Sequence, residues 1–258
     1  MEILSFDIIG KFAHFRKYYA NNTAMSFSLP PRTTIIGIIA GALGLPKDSY
    51  YEDFKSENIR IGINILTQIK KSFHRVNLLK IKGVSDFRGR EQHIQTPFEV
   101  VSGINPAKDE VKYRIFVSAN EKGTDLFKKM KKIFLDKKFI YSATLGTANF
   151  LAHIENVHIY SESSISFLKI KDEYVTINSA CLSENVNEIK FEKDNSFRFN
   201  MIEEELLPAD FKANNYRELS KMNRILFSSG NIPLKVKFSG TLYSIKEENK
   251  VQTIQFLD

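Results

Sequence analysis

Cysteine occurs once, at Cys181, which excludes an intramolecular disulfide framework and any multi-cysteine metal site. The five histidines are scattered without an HxxxH pair, so metal-site spacing is absent and neither a metal nor a cofactor is expected. Long apolar runs are missing too. Ile35 to Leu45 is interrupted by Gly37, Gly41 and Gly44 and falls far short of the roughly 20 residues a bilayer span needs. There is no G-x-x-x-x-G-K-[ST] phosphate loop and no G-x-S-x-G elbow, and "GIIAGALG" has the wrong spacing for G-x-G-x-x-G. The start, "MEILSFDIIG", carries Glu2 instead of a basic stretch and alternates like a strand, so it does not read as a signal peptide. A cytoplasmic protein with no membrane partner is expected. Neither a solenoid repeat nor a low-complexity segment is evident.

What is present is an ordinary globular composition, 43% hydrophobic and 26% charged, with a formal net charge of +7. The charge is unevenly placed. Lys70 to Gln95 holds Lys70, Lys71, Arg75, Lys80, Lys82, Arg88 and Arg90 against Asp86 and Glu91. Lys122 to Lys138 holds seven lysines against Asp125 and Asp136, whereas Glu184 to Glu205 carries seven acids and three bases. Two basic blocks and one acidic block point to a polyanion-facing front.

Along the chain, "ILSFDII" reads as a first strand and residues 10 to 29 as a long polar, aromatic and basic loop. Thr33 or Thr34 can cap a helix running to about Gly44, with Pro46 as its stop and the glycines letting it pack closely on a sheet. Asp48 to Lys55 reads as a second helical piece, and "NIRIGINILTQI" as a strand. The basic block follows as a Gly-punctuated excursion with the character of a β-hairpin. Then come the strand "VKYRIFVSA", the amphipathic helix "GTDLFKKMKKIFLDKK", whose lysines read as a solvated face, and a strand at about Glu155 to Tyr160. This order implies an α+β fold with a ferredoxin-like (RRM-like) βαββαβ domain over 1–160. Residues 161–258 read as a smaller, mainly antiparallel β domain, with a helical pattern only at about Asn214 to Arg224.

Several residue groups could carry chemistry. Arg16, Lys17, Tyr18 and Tyr19 interleave charge with aromatic faces, which suits phosphate neutralisation with base stacking, or is an ordinary basic loop. Arg75, Arg88 and Arg90 are stronger candidates because guanidinium forks grip phosphates bidentately. Arg32 precedes Thr33 at a helix start, where free N–H groups favour a phosphate; the alternative is a capped core helix with its arginine in water. His93 could stack on or hydrogen-bond a base, His14 could act as a general base on a 2′-hydroxyl, and His153 reads as a satisfied structural residue. Cys181, in "SACLS", reads as a packed small residue.

Taken together, "GKFAHFRKYY", "SFSLPPRTTIIGIIAGALGLP", "QTPFEVV" and "YSATLGTANFLAHI" resemble the CRISPR-associated family-five subunit, of the repeat-associated RAMP superfamily, in type I and especially I-B Cascade complexes. The resemblance covers roughly residues 3 to 160. It implies a subunit that caps the 5′ handle of the CRISPR RNA and contacts the Cascade backbone and large subunits and, indirectly, target DNA in antiviral defence. It also implies a thumb hairpin inserted at about 74–101, and Arg16, Lys17 and Arg32 match the family's basic positions before the first helix; with Thr33, Arg75, Arg88, Arg90 and His93 from the residues themselves, they are the expected RNA-binding set. One branch of the family is a metal-independent endoribonuclease using a tyrosine and an adjacent Lys-His pair. This chain has no Lys-His dipeptide, Gln92 preceding His93, so no catalytic residue is expected. The alternative is the processing nuclease, with His14 or His93 and a tyrosine such as Tyr18 or Tyr50.

Overall fold

The computed structural model describes residues 1–20, 23–89, 93–191, 202–212, 217–247 and 250–258. Strand β1 (Ile3–Gly10) runs into three short strands, β2 (Phe12–Ala13), β3 (Phe15–Arg16) and β4 (Ser26–Phe27), and then helix α1 (Arg32–Ala42). Strands β5 (Ile59–Ile65), β6 (Ile69–Leu79), β7 (His93–Gly103) and β8 (Val111–Ala119) precede helix α2 (Thr124–Leu135), and β9 (Ala143–Thr144) and β10 (Leu151–Tyr160) follow it. The rest is β11 (Ile165–Ile177), β12 (Cys181–Leu182), β13 (Val186–Ile189), β14 (Ile202–Phe211), β15 (Leu219–Ser228), β16 (Leu234–Glu247) and β17 (Lys250–Ile254).

The central sheet has the order β5-β8-β1-β10-β9. Its middle strand β1 is buried along its whole length because both faces are covered. On one face Leu4, Phe6 and Ile8 meet Ile35 and Ile39 of α1 and Phe127, Met130 and Phe134 of α2, with the Phe6 and Phe134 rings 4.5 Å apart. On the other, Ile3, Phe116 and Tyr160 pack against Tyr243, Ile254 and Phe256 from the last strands. Leu207, Ile225, Phe227 and Leu257 belong to the same buried cluster as α1, so one core draws residues from both sides of position 160.

The expected α+β, ferredoxin-like βαββαβ architecture is not what forms. Strands make up 52% of the structure and helices 16%, with two α-helices among the described residues and the strands divided among five sheets. The physical reason is additional strand: β16 and β17 cover the second face of the central sheet. Asp48 to Lys55, expected to be helical, is a series of turns with Asp48 at φ +62°, and Leu219–Ser228 is a strand where a helix was expected. The loop after β1 also contributes strand, β2 pairing with β7 and β3 with β4.

Helix α1 ends at Ala42, where Gly44 at φ +70° lets its own N–H reach the Gly41 carbonyl and that of Leu45 reach the Ala40 carbonyl. At its start Pro31 is the N-cap. Its carbonyl accepts from the Thr34 and Ile35 N–H groups at 2.8 and 3.0 Å, and neither threonine hydroxyl caps. No helix is long and apolar enough to cross a membrane among the described residues.

Candidate nucleic-acid interface

The basic excursion is a two-stranded hairpin, β6 paired with β7 from Ile69↔Gly103 to Leu79↔His93, somewhat longer than the expected 74–101. Its root is fixed in the core by Val100 and Val101, and by main-chain bonds from Ala24 N–H to the Pro97 carbonyl and from Glu99 N–H to the Ala24 carbonyl. At the far end Val84–Arg88 forms a 3₁₀ turn. The Asp86 carboxylate there accepts from the Lys82 and Gly83 N–H groups, which hold its pKa below the usual value.

Lys70, Arg75, Lys82 and Arg88 are exposed and Lys80 half-buried, and none of the five forms a salt bridge with another described residue. Alongside them Phe73, Leu78, Leu79, Ile81, Val84 (88% exposed), Phe87 (68%) and Ile94 also face solvent. Unpaired cations interleaved with apolar and aromatic side chains suit a backbone of phosphates and the faces of unpaired bases. His93 is exposed at the first residue of β7, paired with Leu79. Arg90 lies outside the described residues.

The basic residues before α1 have a different fate. Arg16 is exposed, its guanidinium 3.5 Å from the Ala20 carbonyl. Lys17 lies 3.1 Å from Glu205 and above the Phe27 ring; burial alone would lower its pKa, but the Glu205 carboxylate raises it overall. Lys71 approaches the same Glu205 oxygen at 3.5 Å. Arg32, expected at a phosphate, is 3% exposed and enclosed by protein acceptors. One end of its fork donates to Asp210 and, at 3.2 Å, to the Ala209 carbonyl; the other donates to the Phe54 and Ile59 carbonyls at 2.7 and 2.6 Å. Arg32 therefore ties the start of α1 to β14 and to the segment leading into β5, and Thr33 beside it is half-buried.

The acids that line the loop before α1 were missed by sequence reasoning. Glu205 and Glu203 accept from the Ser28 N–H and hydroxyl at 2.9 Å each, and Glu99 accepts from the Ser26 N–H at 2.7 Å. The signal was present: Glu203 and Glu205 are two apart on a strand and so share a face. What sequence did not show is that this face meets a loop some 177 residues earlier.

His14 is 2% exposed, and its ring stacks on Phe98 at 4.0 Å between centroids. Its Nδ1 is 2.7 Å from the Glu99 carbonyl. A carbonyl only accepts, so Nδ1 carries the proton and Nε2 is the unprotonated nitrogen of the neutral ring. Burial lowers its pKa. His153, expected as a satisfied structural residue, is exposed on β10 with Glu155 at 3.5 Å. Tyr18 and Tyr19 are exposed, and Tyr50 is half-buried with its pKa raised by burial. Cys181 is buried and burial pushes its thiol up to about 12. Among the described residues no group of three or more His, Cys, Asp or Glu side chains is placed to hold a metal ion.

No family model matches the sequence, and no curated protein matches it. Among solved structures, the chain is similar to a CRISPR protein from Archaeoglobus fulgidus, with a TM-score of 0.56 over 100% of both chains and 15% sequence identity. It is also similar to a chain of a CRISPR RNA-guided surveillance complex, with a TM-score of 0.47, 12% identity and 90% of each chain covered. The first likeness shows a shared fold; the second is too remote to carry an argument.

Proposed function

We propose that this chain is a non-catalytic CRISPR RNA-binding subunit of a type I, I-B-like Cascade effector. It caps the 5′ handle of the guide RNA and leans its β6–β7 hairpin against a neighbouring backbone subunit. The observation that carries the reading is the hairpin itself, where Lys70, Arg75, Lys80, Lys82 and Arg88 lack carboxylate partners among the described residues and sit among exposed apolar side chains. The RNA contacts are assigned to Arg75, Arg88, His93 and Arg16. Lys17 and Arg32 hold the platform together, and the large subunit and target DNA are met through the assembled complex. The shared fold with a CRISPR protein supports the same reading.

The test is binding of labelled repeat RNA across a salt series. Arg75→Ala with Arg88→Ala is expected to weaken binding about tenfold or more and to flatten the log–log salt slope by about 0.7 per lost phosphate contact. Unchanged affinity and slope would sink the site assignment. The same RNA on a denaturing gel, with and without chelator, should remain intact; site-specific cleavage would replace this reading with the processing nuclease.

A further inference from the structure

A groove of about 340 Å³ lies between the outward side of α1 and the segment around Gly146. Gly37 and Gly41 form part of its floor, and Tyr50, Tyr51 and Phe211 form a wall. The three rings meet edge to face, Tyr50 and Tyr51 at 5.0 Å and Tyr51 and Phe211 at 5.2 Å. Arg217 is the one charged side chain among the described lining residues, and its guanidinium is about half-exposed. Its Nε donates to Asp48 at 2.8 Å, which fixes the fork at the rim. Thr33 and Thr144 add hydroxyls. Gly146, at φ +98°, cannot be replaced without moving the segment, because a Cβ there would sit 1.9 Å from the His14 carbonyl oxygen.

The glycines of α1 are not explained by packing. Sequence reasoning expected them to let the helix approach a sheet, yet a Cβ at Gly41 would meet nothing within 4 Å and one at Gly37 only the Tyr50 hydroxyl at 3.6 Å. Glycine weakens a helix interior relative to alanine, and here no protein contact offsets that loss. Their effect is to leave open space beside an aromatic wall and the Arg217–Asp48 ion pair. Planar aromatic sides over an open floor match a nucleobase, bases stacking on such rings without regard to sequence.

We propose that this groove binds one unpaired nucleotide, its base over Gly37 and Gly41 beside the tyrosines. For a nucleotide within an RNA chain this rests on the RNA-binding reading above. A free mononucleotide presents the same chemistry, and the experiment separates the two sources.

Wild type, Gly41→Leu and the hairpin pair Arg75→Ala/Arg88→Ala are compared. The probes are 5′-AMP, by calorimetry, and single-stranded RNA containing 4-thiouridine, by photo-crosslinking with peptide mapping. Gly41→Leu puts a side chain into the groove at a position where nothing blocks it, so its thermal midpoint should be unchanged or raised. It is expected to weaken RNA binding at least tenfold and to abolish crosslinks to the Tyr50–Tyr51 peptide. Binding of 5′-AMP but no RNA to wild type, lost in Gly41→Leu, supports the groove as a free-nucleotide site and overturns the RNA reading. RNA binding that falls in the hairpin pair but not in Gly41→Leu, with no crosslink at Tyr50–Tyr51, overturns the groove and leaves the RNA reading standing. Binding of neither probe to wild type overturns both.

Discussion

The hairpin and the start of α1 carry the same kinds of residue and use them in opposite ways. Arg75 and Arg88 stand in solvent without a carboxylate among the described residues, whereas Arg32 and Lys17 are enclosed by acids from β14. A cation marks a polyanion site only when the fold leaves it unneutralised, and linear charge density does not report that. The seven acids of Glu184 to Glu205 are a surplus in the sequence, yet Glu205 on β14 is a counter-charge in space to Lys17 and Lys71.

The sharpest way to break this comparison is to exchange stability and binding as readouts. Arg32→Met leaves Asp210 buried beside Ser56 without its cation and frees the Phe54 and Ile59 carbonyls. Removing one partner of a buried pair costs about 3–5 kcal/mol, which for a chain of this size is roughly a 10 °C fall in melting temperature. RNA affinity per folded molecule should not change. The hairpin pair is the mirror image: unfolding midpoints should stay within about 0.5 kcal/mol of wild type, as for other exposed substitutions, while RNA binding falls. A stable Arg32→Met that had lost RNA binding would return Arg32 to the interface.

Glu205→Gln comes next in size. Glu205 serves Lys17, Lys71 and the Ser28 N–H at once, and an amide can replace at most part of that set. A loss of about 1–3 kcal/mol in urea unfolding is expected, the cost of leaving buried polar groups unsatisfied. A change below about 0.5 kcal/mol would show that this cluster does not hold the loop before α1.

Much of the local structure was legible in the sequence. The alternation of "NIRIGINILTQI" became β5, Gly44 and Pro46 bracketed the end of α1, and the glycine-punctuated basic block became a hairpin. These features depend on neighbours in the chain. What was not legible depends on partners far along it. Arg32 meets Asp210 across 178 positions, and Ser28 meets Glu205 across 177. The overall architecture failed for a related reason: Tyr243, Ile254 and Phe256, which cover the second face of the central sheet against Ile3, lie far along the chain from it. Within the candidate site, Arg75, Arg88 and His93 could be placed on the hairpin from sequence, while the glycines of α1 were assigned to the wrong neighbour.

His14 sharpens the comparison most finely, because it is a basic residue that is neither exposed nor paired with an acid side chain. Burial lowers its pKa from the ordinary 6.5, the hydrogen bond to the Glu99 carbonyl opposes this, and the nearby charges of Arg16 and Glu99 act in opposite directions. Because its folded pKa lies below its unfolded one, the unfolded chain binds the proton first as pH falls. Stability from His14 is therefore full above about pH 6.5 and lost progressively below it. His14→Phe keeps a ring against Phe98 but has nothing to titrate, so it should lose some stability at pH 8 through the missing hydrogen bond and flatten the decline between pH 7 and 5. The check is the slope of the unfolding midpoint against pH for the two proteins; parallel curves would mean that His14 is already solvated in the folded state. In that case its unprotonated Nε2 would be open to solvent and substrate, and the nuclease alternative would regain its strongest candidate base.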